Sequence, residues 1–266
     1  MNRSLVFACA LLMSSTAVLA QGQFREEVIS GGGFSNNGPY YGVAPHAGPV
    51  TLNYAGLQGA TGIVEFANAP APYVYVNVKA PGIGSGLEAS LLYSFDVSGP
   101  ASSRVPLNFT ANFNLSNGAF VGGASVRFNV SGYAADHSAA DVTGASVSCS
   151  GSVLTAVCAG TTDPGLLSSS SVNISGSSTF GPGGAAAYGT ITGTFMAPTD
   201  AAGRGIGVVS MTASARVGAG YEAWAFLDPR FEVEPSYLAL NPKAAFEPLP
   251  GMGNDLAMMP VPEPAS

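Results

Sequence analysis

Charge is scarce in this sequence. Charged residues make up 9% of the 266 positions, against about 25% in an average soluble protein. Those present lean acidic, with 16 Asp and Glu to 9 Lys and Arg. A phosphate backbone or anionic lipid surface would be repelled by such a chain, so nucleic acid is excluded as a partner. Histidine is nearly absent, with only His46 and His137, and neither sits in a nucleophile elbow, a zincin pattern or a paired-ligand spacing. Asp136-His137-Ser138, with Asp141 behind it, comes nearest to a catalytic or cation-binding cluster. Triad members converge from separate elements, however, and two loop carboxylates without EF-hand spacing are too few for calcium. The expectation is a protein that is not an enzyme, needs no cofactor and holds no metal.

Cysteine is equally sparse, at three residues. Cys9 falls in the apolar run Leu5 to Met13, which follows Arg3 and ends in small residues with Val18 and Ala20 at the −3 and −1 positions. This is the pattern of a secretory signal peptide, residues 1–20, with cleavage expected before Gln21. Cleavage removes Arg3 and makes the net charge one unit more negative than the −7 of the whole chain. Cys149 and Cys158 remain, in an oxidising compartment where a disulfide persists. A two-residue turn at Gly151-Ser152 would leave Cys158 out of reach. Cysteines directly opposite each other around a tight turn would put Val153 and Leu154 at costly positive φ. A wider loop closed at its base by the bridge is therefore expected, contributing about 2.5 to 3 kcal/mol through the unfolded chain.

The abundant residues are Gly, Ser, Ala, Thr and Asn, and the dominant pattern from about Ile63 onward is strict alternation, which sends successive side chains to opposite faces of a sheet. Leu107, Phe109, Ala111, Phe113 and Leu115 alternate with Asn108, Thr110, Asn112 and Asn114. The same period places Val74, Val76 and Val78 against Tyr73, Tyr75, Asn77 and Lys79, and Val126, Phe128 and Val130 against Ser125, Arg127 and Asn129. Val209 to Val217 repeats it, and shorter strands are expected near 91–97, 142–149, 172–174, 190–195 and 221–227, separated by Gly, Pro and Asn clusters. No segment argues comparably for a helix. Asn-x-Ser/Thr triplets at Asn108, Asn114, Asn129 and Asn173 read as coincidence on polar strand faces.

These patterns predict an all-β protein, an antiparallel β-sandwich or jelly roll over residues 21–245. Gly31 to Tyr41 reads as a surface loop. Residues 246–266 read as a disordered Pro-rich tail, since the stretch from Pro242 to Ser266 holds six prolines and little alternation. From about Pro248 this tail is expected to touch the body little, with Met252, Leu256, Met258 and Met259 as its only residues able to dock.

The tail ends in Val261-Pro262-Glu263-Pro264-Ala265-Ser266, which resembles the sorting signal of PEP-CTERM proteins of Gram-negative bacteria. Ala223-Trp224-Ala225-Phe226-Leu227-Asp228-Pro229-Arg230-Phe231 resembles a late strand common in the bodies of that family. The resemblance implies export, an extracellular or cell-surface location, and processing by the membrane protease exosortase acting on Val261, Pro262, Glu263 and Pro264. Family members carry a transmembrane helix and a basic cluster after this motif, whereas this sequence stops at Ser266. It is then either a piece cut before the helix or a product without membrane retention.

The expected role is that of a non-catalytic envelope or matrix-associated protein. The alternative is a carbohydrate-binding module for an extracellular polysaccharide. Tyr73 and Tyr75, about 7 Å apart on one strand face, with Asn77 beside them and Trp224 as a third platform, would stack on sugar C–H faces and bond their hydroxyls. Burial of the same rings under a loop or against cross-strand neighbours is the plainer reading.

Overall fold

The computed structural model describes residues 23–30, 42–43, 50–55, 59–67, 69–82, 84–117, 122–136, 143–151, 156–162, 171–181, 184–248 and 251–257. The signal segment, the loop 31–41, His46, His137, Asp141 and the motif 261–264 lie outside the described residues.

Alternating apolar residues do what the period predicts. Among the described residues fifteen strands form: β1 (Gln23–Ser30), β2 (Gly42–Val43), β3 (Val50–Ala55), β4 (Thr61–Ala67), β5 (Tyr73–Ala80), β6 (Ser85–Ser98), β7 (Arg104–Asn117), β8 (Gly122–Ala134), β9 (Thr143–Gly151), β10 (Ala156–Thr162), β11 (Ser171–Gly181), β12 (Gly184–Pro198), β13 (Arg204–Val217), β14 (Tyr221–Val233) and β15 (Ala245–Pro248). One sheet runs β10-β9-β8-β13-β6-β1-β2, with β15 also on β6, and the other runs β11-β12-β7-β14-β5-β4-β3. Every pairing is antiparallel. The chain changes sheet between β2 and β3, β5 and β6, β6 and β7, β7 and β8, β10 and β11, β12 and β13, β13 and β14, and β14 and β15. Central strands are therefore flanked by partners distant in sequence, as in β-sandwiches.

The core lies between the two inner faces. Leu107, Phe109, Ala111, Phe113 and Leu115 of β7 are all buried, as are Val74, Val76 and Val78 of β5, Val126, Phe128 and Val130 of β8, and Val209, Met211, Ala213, Ala215 and Val217 of β13. At its centre Phe231 lies 5.1 Å from Phe95, 6.4 Å from Phe109, 6.1 Å from Phe128, 6.3 Å from Phe195 and 5.8 Å from Phe246. Gly207 pairs with Phe95 across β13 and β6, and a Cβ there would fall 2.0 Å from Phe95 Cζ. The missing side chain is the space the ring occupies.

A corner near Asp200 holds one end of the sandwich. Its Oδ1 accepts the N–H groups of Ala202 and Arg204, each at 2.8 Å, and Thr199 Oγ1 donates to Pro100 O at 2.7 Å while accepting from Ser103 N at 3.0 Å.

Three expectations need correction. A short helix, α1 (Pro235–Leu240), does form, because Pro235 opens it and the Glu234 carboxylate accepts from the N–H groups of Ser236 and Tyr237. The tail does not leave the body at 246, since β15 pairs with β6 and Met252 is only 8% exposed within the core cluster. The reading of a spacer from Pro248 thus fails as far as Ala257, because side-chain and backbone anchors outweigh the lack of alternation. The hairpin β9–β10 sets Cys149 directly opposite Cys158, with pairing continuing to Gly151 and Ala156. This directly opposed register is the one the turn argument disfavoured, and the turn itself, residues 152–155, lies outside the described residues.

Candidate functional site

The outer face of the second sheet brings together the side chains that the alternation turned away from the core. Register sets Tyr75 beside Glu65 on β4 and Phe226 on β14, and Asn77 opposite Trp224. The amide of Asn77 donates to Glu222 Oε1 at 2.8 Å and to Tyr75 Oη at 3.2 Å. The Tyr73 hydroxyl donates to Glu65 Oε2 at 3.4 Å, and its ring lies 5.7 Å from Phe226. Tyr73, Tyr75 and Trp224, the three residues singled out for sugar stacking, thus do share one face of two adjacent strands.

Exposure separates them. Tyr75 is 6% exposed and Phe226 1%, so their rings serve as packing, whereas Tyr73, Asn77 and Trp224 are half-buried. The Trp224 indole N–H is buried and has no partner among the described residues. Burial, then the Glu65 carboxylate, pushes the Tyr73 phenol up to about 12. Tyr75 is also raised, chiefly by burial, with the Asn77 hydrogen bond opposing. Both phenols are neutral at physiological pH and act as hydrogen-bond groups, not as nucleophiles or bases.

The polar face continues across β7 and β12. Thr194 Oγ1 donates to Asn108 Oδ1 at 2.7 Å and Thr190 Oγ1 to Asn112 Oδ1 at 3.1 Å. These amides and hydroxyls make a neutral, hydroxyl-rich surface adjoining the aromatic row.

Asp228 was not singled out from the sequence. It lies on the same outer row of β14 as Trp224 and Phe226, yet is fully buried. Its Oδ2 accepts the N–H of Ala257, while Oδ1 has no partner among the described residues. Burial pushes this carboxyl up to about 8, with only the Ala257 N–H opposing. Alternation places position 228 on the outer face; what covers it is a segment far along the chain, which no local pattern announces. Among the described residues no group of three His, Cys, Asp or Glu is placed to hold a metal, and no helix is long and apolar enough to cross a membrane. Asp136 lies at the end of β8, and its suggested companions fall outside the described residues.

No protein-family model matches the chain, and no curated protein matches it.

Proposed function

We propose that the chain is an exported, non-catalytic envelope or extracellular-matrix protein of the PEP-CTERM type, whose β-sandwich is carried on a C-terminal sorting tail. The observation that carries this reading is the order of parts at the C-terminus. Among the described residues the last anchoring contact is Ala257 on Asp228, and the Val261-Pro262-Glu263-Pro264 motif begins just beyond it in the sequence. A folded body followed closely by the motif leaves the motif within reach of a tail-directed protease such as exosortase. Cys149 and Cys158, opposed in β9 and β10, are proposed as a cystine, since directly opposite antiparallel residues have Cα atoms about 4.5 to 5.5 Å apart, inside the range a disulfide spans. The test is expression of the full chain with its own N-terminus in a Gram-negative host. Material outside the cytoplasm beginning at Gln21 supports the reading; cytoplasmic material retaining residues 1–20 refutes it.

A second reading, binding of an extracellular polysaccharide, is favoured by the cluster of Tyr73, Asn77, Glu222 and Trp224 beside a neutral Thr and Asn surface. A glycan array with wild type, Tyr73→Ala and Trp224→Ala tests it. Retention on no polysaccharide, or retention unchanged in both variants, removes it. Tyr75→Ala would report on packing and is not a suitable probe.

A further inference from the structure

β14 runs past the end of its neighbour. Its pairing with β5 stops at Leu227 and Val74, whereas pairing with β7 continues to Val233 and Leu107. From Asp228 onward one edge of β14 has no strand beside it among the described residues, and residues 251–257 fill that place. The Asn254 side chain imitates a strand there, accepting from Phe231 N at 2.8 Å and donating to Phe231 O at 2.6 Å. Asp255 N donates to Pro70 O at 3.0 Å, and Met252 enters the core cluster. The approach is close enough that a Cβ on Gly253 would sit 1.8 Å from the Pro70 carbonyl oxygen.

The last anchor differs from the others, because Ala257 N donates to a buried carboxyl, Asp228 Oδ2. Around that carboxyl are Tyr73 from β5, whose phenol also meets Glu65 of β4, and Tyr93 from β6, and both phenols are raised. Asn112 stands opposite on β7, Arg230 follows on the same β14 row with Glu232 at 3.8 Å, and Asp255 lies on the covering segment itself. Ionised in place, Asp228 would be a buried charge with one donor for its two oxygens among the described residues. Lifting residues 251–257 hydrates it while leaving β14 fixed between β7 and the core.

We propose that residues 251–257 form a proton-controlled clasp, closed over the free edge of β14 while Asp228 is neutral and loosened as that carboxyl ionises, so that the tail beyond Ala257 is tied down or released by pH. In the lifted state the carboxyl returns to its ordinary value of 3.8, whereas burial in the closed state holds it near 8. The lifted state therefore sheds its proton first as pH rises. The ratio of closed to lifted molecules falls about tenfold per pH unit between these values and levels off above the upper one. Loosening bares the edge of β14 and the outer row next to Tyr73, and lengthens the tether before Val261.

Hydrogen exchange read by mass spectrometry on the full chain, from pH 6 to 9.5, tests this. At each pH the protection of residues 253–257 is compared between wild type and Asp228→Asn, which cancels the intrinsic pH dependence of exchange. Relative to the variant, wild-type protection is expected to fall about 100-fold between pH 6 and 8 and then to stay level, with β7 and β13 amides alike in both proteins. Gly253→Ala is expected to leave the segment unprotected at every pH. A constant ratio across the range, or a loss shared equally by β7 and β13, overturns the proposal. Should Asp228→Asn fail to fold, the wild-type protection of 253–257 relative to β7, each corrected for intrinsic rate, reads the same transition; a flat profile overturns it equally.

Discussion

Adding one methyl group at Gly207 tests the packing at the centre of the sandwich. The Cβ of Gly207→Ala would fall 2.0, 2.2 and 2.6 Å from Phe95 Cζ, Cε2 and Cε1, whereas carbon atoms settle at about 3.5 to 4.0 Å. The ring must retreat by about 1.5 Å, but Phe246, Phe231 and Phe195 hold it at 4.7, 5.1 and 6.2 Å. Overpacking of this kind costs about 1 to 3 kcal/mol, and a ring with no free side belongs at the upper end. Against it stands about 0.4 to 1 kcal/mol gained by restricting the unfolded chain. The net loss is then about 2 kcal/mol, or roughly 4 to 8 °C in Tm for a domain of this size. Urea unfolding of Gly207→Ala, Phe95→Leu and the double variant supplies the cycle. Phe95→Leu alone should cost about 2 kcal/mol in lost apolar burial. The double variant should be less destabilised than the sum by about 0.5 to 3 kcal/mol, because the shortened side chain admits the methyl. A cost below about 0.5 kcal/mol for Gly207→Ala, or an additive cycle, would refute the claim that the ring occupies the glycine's space.

Truncating Phe231 to Ala empties the position that five other rings surround, so a loss of about 3 to 5 kcal/mol is expected in the same unfolding assay. Asp200→Ala strands the N–H groups of Ala202 and Arg204 and should cost about 1 to 3 kcal/mol; Asp200→Asn, which keeps an acceptor, should recover part of it. For the full chain exported as proposed, peptide mass mapping should find Cys149 joined to Cys158, with about 2.5 to 3 kcal/mol lost on reduction; two free thiols would refute the bridge.

Alternation identified the strands that pack on both neighbours and said which residues face inward. Leu107 to Leu115 and Val209 to Val217 are buried at every position assigned to the core. It underestimated length, because β6, β7 and β13 extend to 14 residues each through glycines, prolines and polar residues that their partners keep in register. Gly207 illustrates why: in isolation it reads as a break, yet a ring from the opposite strand supplies its bulk. β1, β3 and β10 were not foreseen, being short or weakly apolar segments whose pairing is decided by the strand beside them. The candidate site was legible to the same depth. Alternation put Tyr73, Tyr75 and Trp224 on one face, but periodicity reports which way a side chain points and not what lies over it. Tyr75 and Asp228 are therefore buried where the pattern alone suggests solvent, and the anchors of 251–257 are single polar contacts with no periodic signature.

The strands at the two ends of the described chain lie end to end on one partner. β1 pairs with β6 from Ser85 to Leu92, and β15 takes the same strand from Phe95 to Ser98. On the other side, β6 waits for β13, with Ser90 meeting Thr212 across 122 positions of sequence. During synthesis or passage through a membrane, N-terminus first, β6 emerges with only β1 available to it, and both remaining positions stay vacant until the closing part of the chain arrives. Assembly of this sheet is thereby coupled to completion of the polypeptide, and a chain cut short before Ala245 would present Phe95 to Ser98 as an open edge able to pair with another molecule.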